Sequence, residues 1–130
     1  MTESQFQTKL LKELRSYGWF YKASDRFRAG VPDVIGCFNG VFIAIELKVD
    51  YNKPTKLQVF ELKQILANEG YAAVVTYNNK TKTRHLGDKT FKTDKELVEC
   101  ILKQSLLSIK STAFRQLEIE ATLQSSLNQA

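Results

Sequence analysis

The sequence predicts an α/β chain, a mixed sheet flanked by helices, with α+β the neighbouring alternative. Two observations predict it. Apolar stretches at helical spacing interrupt β-branched runs, and two of those runs flank Asn39-Gly40 while another follows a helix-length crossover. A chain of 130 residues, 43% hydrophobic and 25% charged, builds one ordinary core, which excludes disordered, fibrous and multi-domain classes.

The elements follow in order. Thr2 with Gln5 is a capping-box pattern, and Phe6, Leu10, Leu11 and Leu14 recur at helical spacing, so a helix is expected from Glu3 to Tyr17, closed by Gly18. Trp19 to Ser24 holds aromatic strand formers, and the loop from Asp25 to Gly30 is polar and basic apart from Phe27. Val31 to Phe38 and Val41 to Lys48 are apolar runs joined by Asn39-Gly40, a strong hairpin signal, and are expected to pair antiparallel. Thr55 with Gln58 repeats the capping box ahead of Leu57, Phe60, Leu62, Ile65 and Leu66, and Gly70 ends that second helix. Tyr71 to Tyr77 returns as a strand. After a basic connection, Thr93 with Glu96 caps a third helix reaching about Ile109, with Leu97, Ile101 and Leu102 inward. The order reads αβββαβα. Residues 1–110 form the domain, and 111–130 are a tail with a partial helical stripe (Phe114, Leu117, Ala121, Leu123, Leu127) suited to packing at home or on a partner copy.

Charge and cysteine usage narrow the class. Net charge is +5, and residues 111–130 carry one arginine against two glutamates, so the basic surplus lies in the first 110 residues. Lys80, Lys82, Arg84, Lys89, Lys92 and Lys95 form one basic run and Arg26 with Arg28 a smaller one; both suit a polyanion as well as a solvated face. Cys37 and Cys100 show no metal or disulfide spacing, which fits a reduced cytoplasmic setting, with Cys37 read as a small core residue. The longest purely apolar run, Val41 to Ile45, is far below a membrane span, and no signal core opens the sequence.

The chemistry concentrates on the central hairpin. Alternation along Val41 to Lys48 sends Ile43, Ile45 and Leu47 to one face and Phe42, Ala44, Glu46 and Lys48 to the other. Counting back from the turn puts Asp33 opposite Glu46, to within one register step. Paired carboxylates repel one another, so they favour a shared proton or a cation between them. Hard oxygen donors of this kind suit Mg²⁺, which retains waters for phosphate oxygens. The alternative is a plain Glu46–Lys48 salt bridge with Asp33 starting a strand.

Gly30-Val31-Pro32-Asp33-Val34 followed by Glu46-Leu47-Lys48 resembles the PD-(D/E)XK nuclease superfamily, whose core has the αβββαβ order reached above. More narrowly the chain resembles the VRR-NUC family, and more distantly the archaeal Holliday junction resolvases. The likeness runs from Glu3 to Tyr77 and includes Glu3, Phe6-Gln7, Leu14, Gly18, Gln58 and Gly70. It implies a restriction-endonuclease-like fold, a metal held by Asp33, Glu46 and Glu3, Lys48 at the attacking water or scissile phosphate, and Gln58 supporting the site. It further implies Mg²⁺, replaceable by Mn²⁺, and hydrolysis of branched DNA by a homodimer, since symmetric cuts need two sites.

Rival readings accompany these assignments. Glu13 competes with Glu3 as the helix-borne acid, and Gln58 closes a capping box. His85 reads as a surface or satisfied histidine rather than a base. Arg26, Arg28, Lys80, Lys82 and Arg84 are the expected phosphate contacts. No zinc finger or recognition-helix signature reads base edges, which favours recognition by shape. The alternatives are a nicking or restriction-type nuclease on duplex or single strands, and a non-catalytic nucleic-acid-binding module.

Overall fold

A computed structural model describes residues 1–23 and 28–129, with the side chains at 109–119, 122, 126, 127 and 129 outside the description. The elements are α1 (Glu3–Arg15), β1 (Trp19–Lys22), β2 (Val34–Phe38), β3 (Val41–Val49), α2 (Lys56–Ala67), β4 (Tyr71–Asn78), β5 (Thr83–Leu86), β6 (Lys89–Phe91) and α3 (Asp94–Gln129). The strands form one mixed sheet in sequential order, with β3 and β4 parallel and every other pair antiparallel. The expected class is therefore the observed one.

Local chemistry explains the elements. Both capping boxes form: Thr2 and Thr55 each accept from the amide three residues on, and the Gln5 and Gln58 side chains accept from the cap amides. Thr93 likewise accepts from the Glu96 amide at the start of α3. Asn39 and Gly40 both take positive φ, 49° and 82°, the turn that matches the twist of a hairpin. This pins Phe38 to Val41 and carries the register back to Val34 opposite Ile45.

One face of the sheet holds the core. Val34, Ile43, Ile45, Leu47 and Val75 meet Phe6, Leu10 and Leu14 of α1 and Leu97, Val98 and Ile101 of α3. The other face carries α2, packed against β3 and β4. At Gly36 the core tolerates no side chain, because a Cβ there would meet Phe20 Cδ1 at 2.2 Å and the Trp19 carbonyl at 2.3 Å. Gly36→Ala is expected to destabilise the chain by about 2 kcal/mol or more through overpacking, read as a lowered urea midpoint with unchanged slope.

The structure departs from the sequence reading at four points. β2 starts at Val34 rather than Val31, since Pro32 has no amide to donate and Gly30 turns at φ 84°, where a Cβ would meet Leu57 Cγ at 2.7 Å. The basic connection after β4 is instead the β5–β6 hairpin, turning at Gly87 with φ 62°. Its strands are only four and three residues long and mostly polar, so they offer no apolar alternation to read. The third helix does not stop near Ile109 but runs on to Gln129. Cys37, expected in the core, is free and exposed, because it points to the outer face of β2. Among the described residues no helix is long and apolar enough to cross a membrane.

Candidate metal centre

Three elements bring three carboxylates together. Glu3 opens α1, Asp33 lies just before β2 and Glu46 is on β3, and one oxygen from each falls within 4.8 Å of the others. The hairpin register sets the first contact: with Val34 opposite Ile45, the next position back is Asp33 beside Glu46. Asp33 is then fixed by the backbone, its Oδ2 accepting from the Leu47 amide at 2.8 Å. Its own carbonyl accepts from the Ala23 amide at 2.9 Å. Glu13, the rival acid, lies at the other end of α1 beside Tyr17 and does not join the cluster.

Glu46 is fully buried, and its two oxygens have different surroundings. Oε1 accepts from Gln58 Nε2 at 3.0 Å and lies 3.7 Å from Lys48 Nζ. Among the described residues Oε2 has no hydrogen-bond partner. Burial first, and the Asp33 carboxylate next, push the Glu46 pKa up to about 8, against the opposing pull of Lys48. Lys48 itself keeps only 11% of its side chain exposed, so its charge acts in a poorly screened setting. Gln58 serves two purposes at once: Oε1 closes the α2 capping box while Nε2 orients Glu46.

The donor set fits a hard divalent cation. All three ligand groups are carboxylate oxygens, one is buried and unpartnered, and mutual repulsion leaves a cation or a proton as the relief. Gln7, one turn after Glu3 on α1, holds another buried side-chain oxygen that has no hydrogen-bond partner among the described residues. Its only sequence signal was the Phe6-Gln7 pair of the resemblance.

The expected phosphate contacts divide. Arg28 makes a bidentate pair with Glu61 of α2, with contacts of 2.7 to 3.0 Å, which ties the loop ahead of Asp33 to the helix bearing Gln58. Sequence reasoning missed Glu61 because its partner lies 33 positions away. Arg84 donates from Nε to Asp94 at 2.7 Å and from Nη1 to the Lys82 and Lys92 carbonyls, and stacks over Tyr77. Those donors hold α3 and the hairpin together. Lys80 and Lys82 are exposed, and Arg26 lies outside the described residues. The ring nitrogens of His85 meet the hydroxyls of Thr83 and Thr90 at 2.9 and 3.2 Å, as a satisfied histidine does.

A helix, a three-stranded meander, a crossover helix and a parallel fourth strand, with acids converging where β2 and β3 meet, define the restriction-endonuclease-like class of fold. Two solved structures share it. One is a VRR_NUC domain, 24% identical, matched over 62% of this chain and 90% of that one at a TM-score of 0.53. The other is Archaeoglobus fulgidus Hjc, a Holliday junction resolvase from an archaeal hyperthermophile, 18% identical over 78% of this chain and 98% of that one, at a TM-score of 0.51. Both bear out, at the level of the fold, the resemblance read in the sequence. No protein-family model matches the sequence, and no curated protein matches it significantly.

Proposed function

We propose that this chain is a divalent-metal-dependent DNA endonuclease of the VRR-NUC kind, hydrolysing phosphodiester bonds in branched DNA. The observation that carries the reading is the convergence of Glu3, Asp33 and Glu46 beside Lys48, with a buried Glu46 oxygen left unpartnered. The likeness to a VRR_NUC domain and to a Holliday junction resolvase supports it.

In this reading Asp33, Glu46 and Glu3 hold Mg²⁺, with Mn²⁺ able to replace it. When bound, such a cation supplies Lewis-acid chemistry, acidifying water and neutralising charge on phosphate. The protein's own residues do the positioning. The Leu47 amide fixes Asp33, Gln58 fixes Glu46, and Lys48 presents an ammonium group where negative charge grows on the attacked phosphate. Exposed Lys80 and Lys82 grip backbone phosphates away from the site. Residues 1–110 form the nuclease unit, and two copies related by a two-fold axis place one centre on each strand. Residues 111–130, which carry no basic surplus, supply the contact between copies.

The test compares a four-way junction with its component duplexes, each with Mg²⁺ or with EDTA. Metal-dependent cutting is expected on the junction, with much slower cutting of the duplexes. Equal cutting of all substrates would mark a nicking or restriction-type enzyme, and salt-sensitive binding without products a non-catalytic module.

A further inference from the structure

β1 is an edge strand, and its residues alternate between the two faces of the sheet. Phe20 turns into the core, while Trp19 and Tyr21 point outward, 65% and 40% exposed. Their rings meet edge to face with centroids 5.0 Å apart. With Phe42 in the same row as Trp19, the two rings form part of a contiguous exposed aromatic strip, the kind of surface that marks an interaction site.

The ladder shows where these rings lie relative to the metal centre. Trp19 pairs with Cys37, which pairs with Phe42, itself 44% exposed; Tyr21 pairs with Ile35, which pairs with Ala44. The bond from the Ala23 amide to the Asp33 carbonyl continues the pattern, so the third row on this face holds Asp33 and Glu46. Rows on one face of a strand are about 7 Å apart. By register the rings therefore lie about one and two rows from Asp33 and Glu46, on the same face of the sheet. α2 packs against β3 and β4, which leaves β1 open beside it.

We propose that Trp19 and Tyr21 form a stacking platform for unpaired nucleobases leading away from the metal centre. The proposal rests on the nuclease reading for the identity of the polymer. A strand held at the carboxylates and continuing toward β1 crosses the Ile35 and Phe42 part of this face, beside the Arg28–Glu61 pair, and then meets the aromatic rings. Stacking accepts any base, because every base has a π face, and so gives recognition without reading base edges. Bases within a duplex are already stacked, whereas those at a branch point or in a single strand are free. A net charge of +5 suits a polyanion as the partner of this chain.

Trp19 is the only tryptophan, so its emission reports on this surface alone. The experiment titrates the full chain with oligo-dT in EDTA, and separately with blunt duplex of equal length. The expected result is strong quenching by oligo-dT and weak quenching by duplex. Trp19→Ala should weaken oligo-dT binding, read by anisotropy of labelled DNA, about tenfold or more, while Trp19→Phe retains most of it. Absence of quenching together with unchanged affinity in Trp19→Ala overturns the platform. So does an emission shift that depends on protein concentration alone and tracks a doubling of mass, which would make this face a contact between copies. Because EDTA prevents cutting, quenching without any metal-dependent cleavage leaves the platform standing and removes the nuclease reading. Cleavage with unaltered junction preference in Trp19→Ala does the reverse.

Discussion

Replacing Glu46 by glutamine is expected to lower metal-dependent cleavage about a thousandfold or more, with DNA affinity in EDTA nearly unchanged. Glutamine fills the same buried space but provides no charge for a cation, and the Gln58 side chain keeps an oxygen to donate to. Asp33→Asn should match it, since the Leu47 amide still has an oxygen to meet while the second charge is gone. Lys48→Ala removes the ammonium group 3.7 Å from Glu46 and is expected to cost about a hundredfold or more. Combining Asp33→Asn with Glu46→Gln should be little worse than either alone, because groups that act as a unit fail together. Glu13→Gln, at the far end of α1, should leave the rate unchanged, whereas Glu3→Gln lowers it. Single-turnover rates on a four-way junction give the comparison. Cleavage surviving in both Asp33→Asn and Glu46→Gln would remove the carboxylates from the mechanism.

That these residues could be found in one sequence follows from how local the determining physics is. Asn39-Gly40 fixes the hairpin turn, the turn fixes the register, and the register alone places Asp33 beside Glu46. The capping boxes at Thr2 and Thr55 are equally local, and they position Glu3 and Gln58 at the starts of their helices. Contacts across the fold were not legible. Arg28 looked like a free cation until α2 brought Glu61 to it, and Arg84 until α3 brought Asp94. The β5–β6 hairpin escaped because its strands are short, polar and at the sheet edge, where side chains need not alternate in hydrophobicity. Trp19 and Tyr21 read simply as strand formers. Only the ladder shows that they share a face with the acids.

Stability should report on the same carboxylates without any DNA present. In the folded chain the Glu46 pKa is raised from 4.5 to about 8, so between those values the folded state holds a proton that the unfolded state has released. The stabilisation from that proton is complete below 4.5 and is lost as pH rises through 8, with a slope of at most about 1.4 kcal/mol per pH unit. Asp50 does not disturb this window, because its lowered pKa acts below 3.8. A divalent cation competes for the same oxygens, so Mg²⁺ should restore little at pH 6 and much more at pH 8, about 2.7 kcal/mol at a hundred times its dissociation constant. Glu46→Gln has no proton to lose at this position, so it should lack this loss over the range and respond weakly to Mg²⁺. Urea unfolding of both proteins from pH 5.5 to 8.5, with EDTA or with Mg²⁺, measures the difference between them, and titrations shared by both cancel. Parallel pH profiles with equal Mg²⁺ responses would mean that Glu46 is an ordinary ionised partner of Lys48. The buried, unpartnered oxygen would then lose its significance, and with it the physical case for a metal at this site.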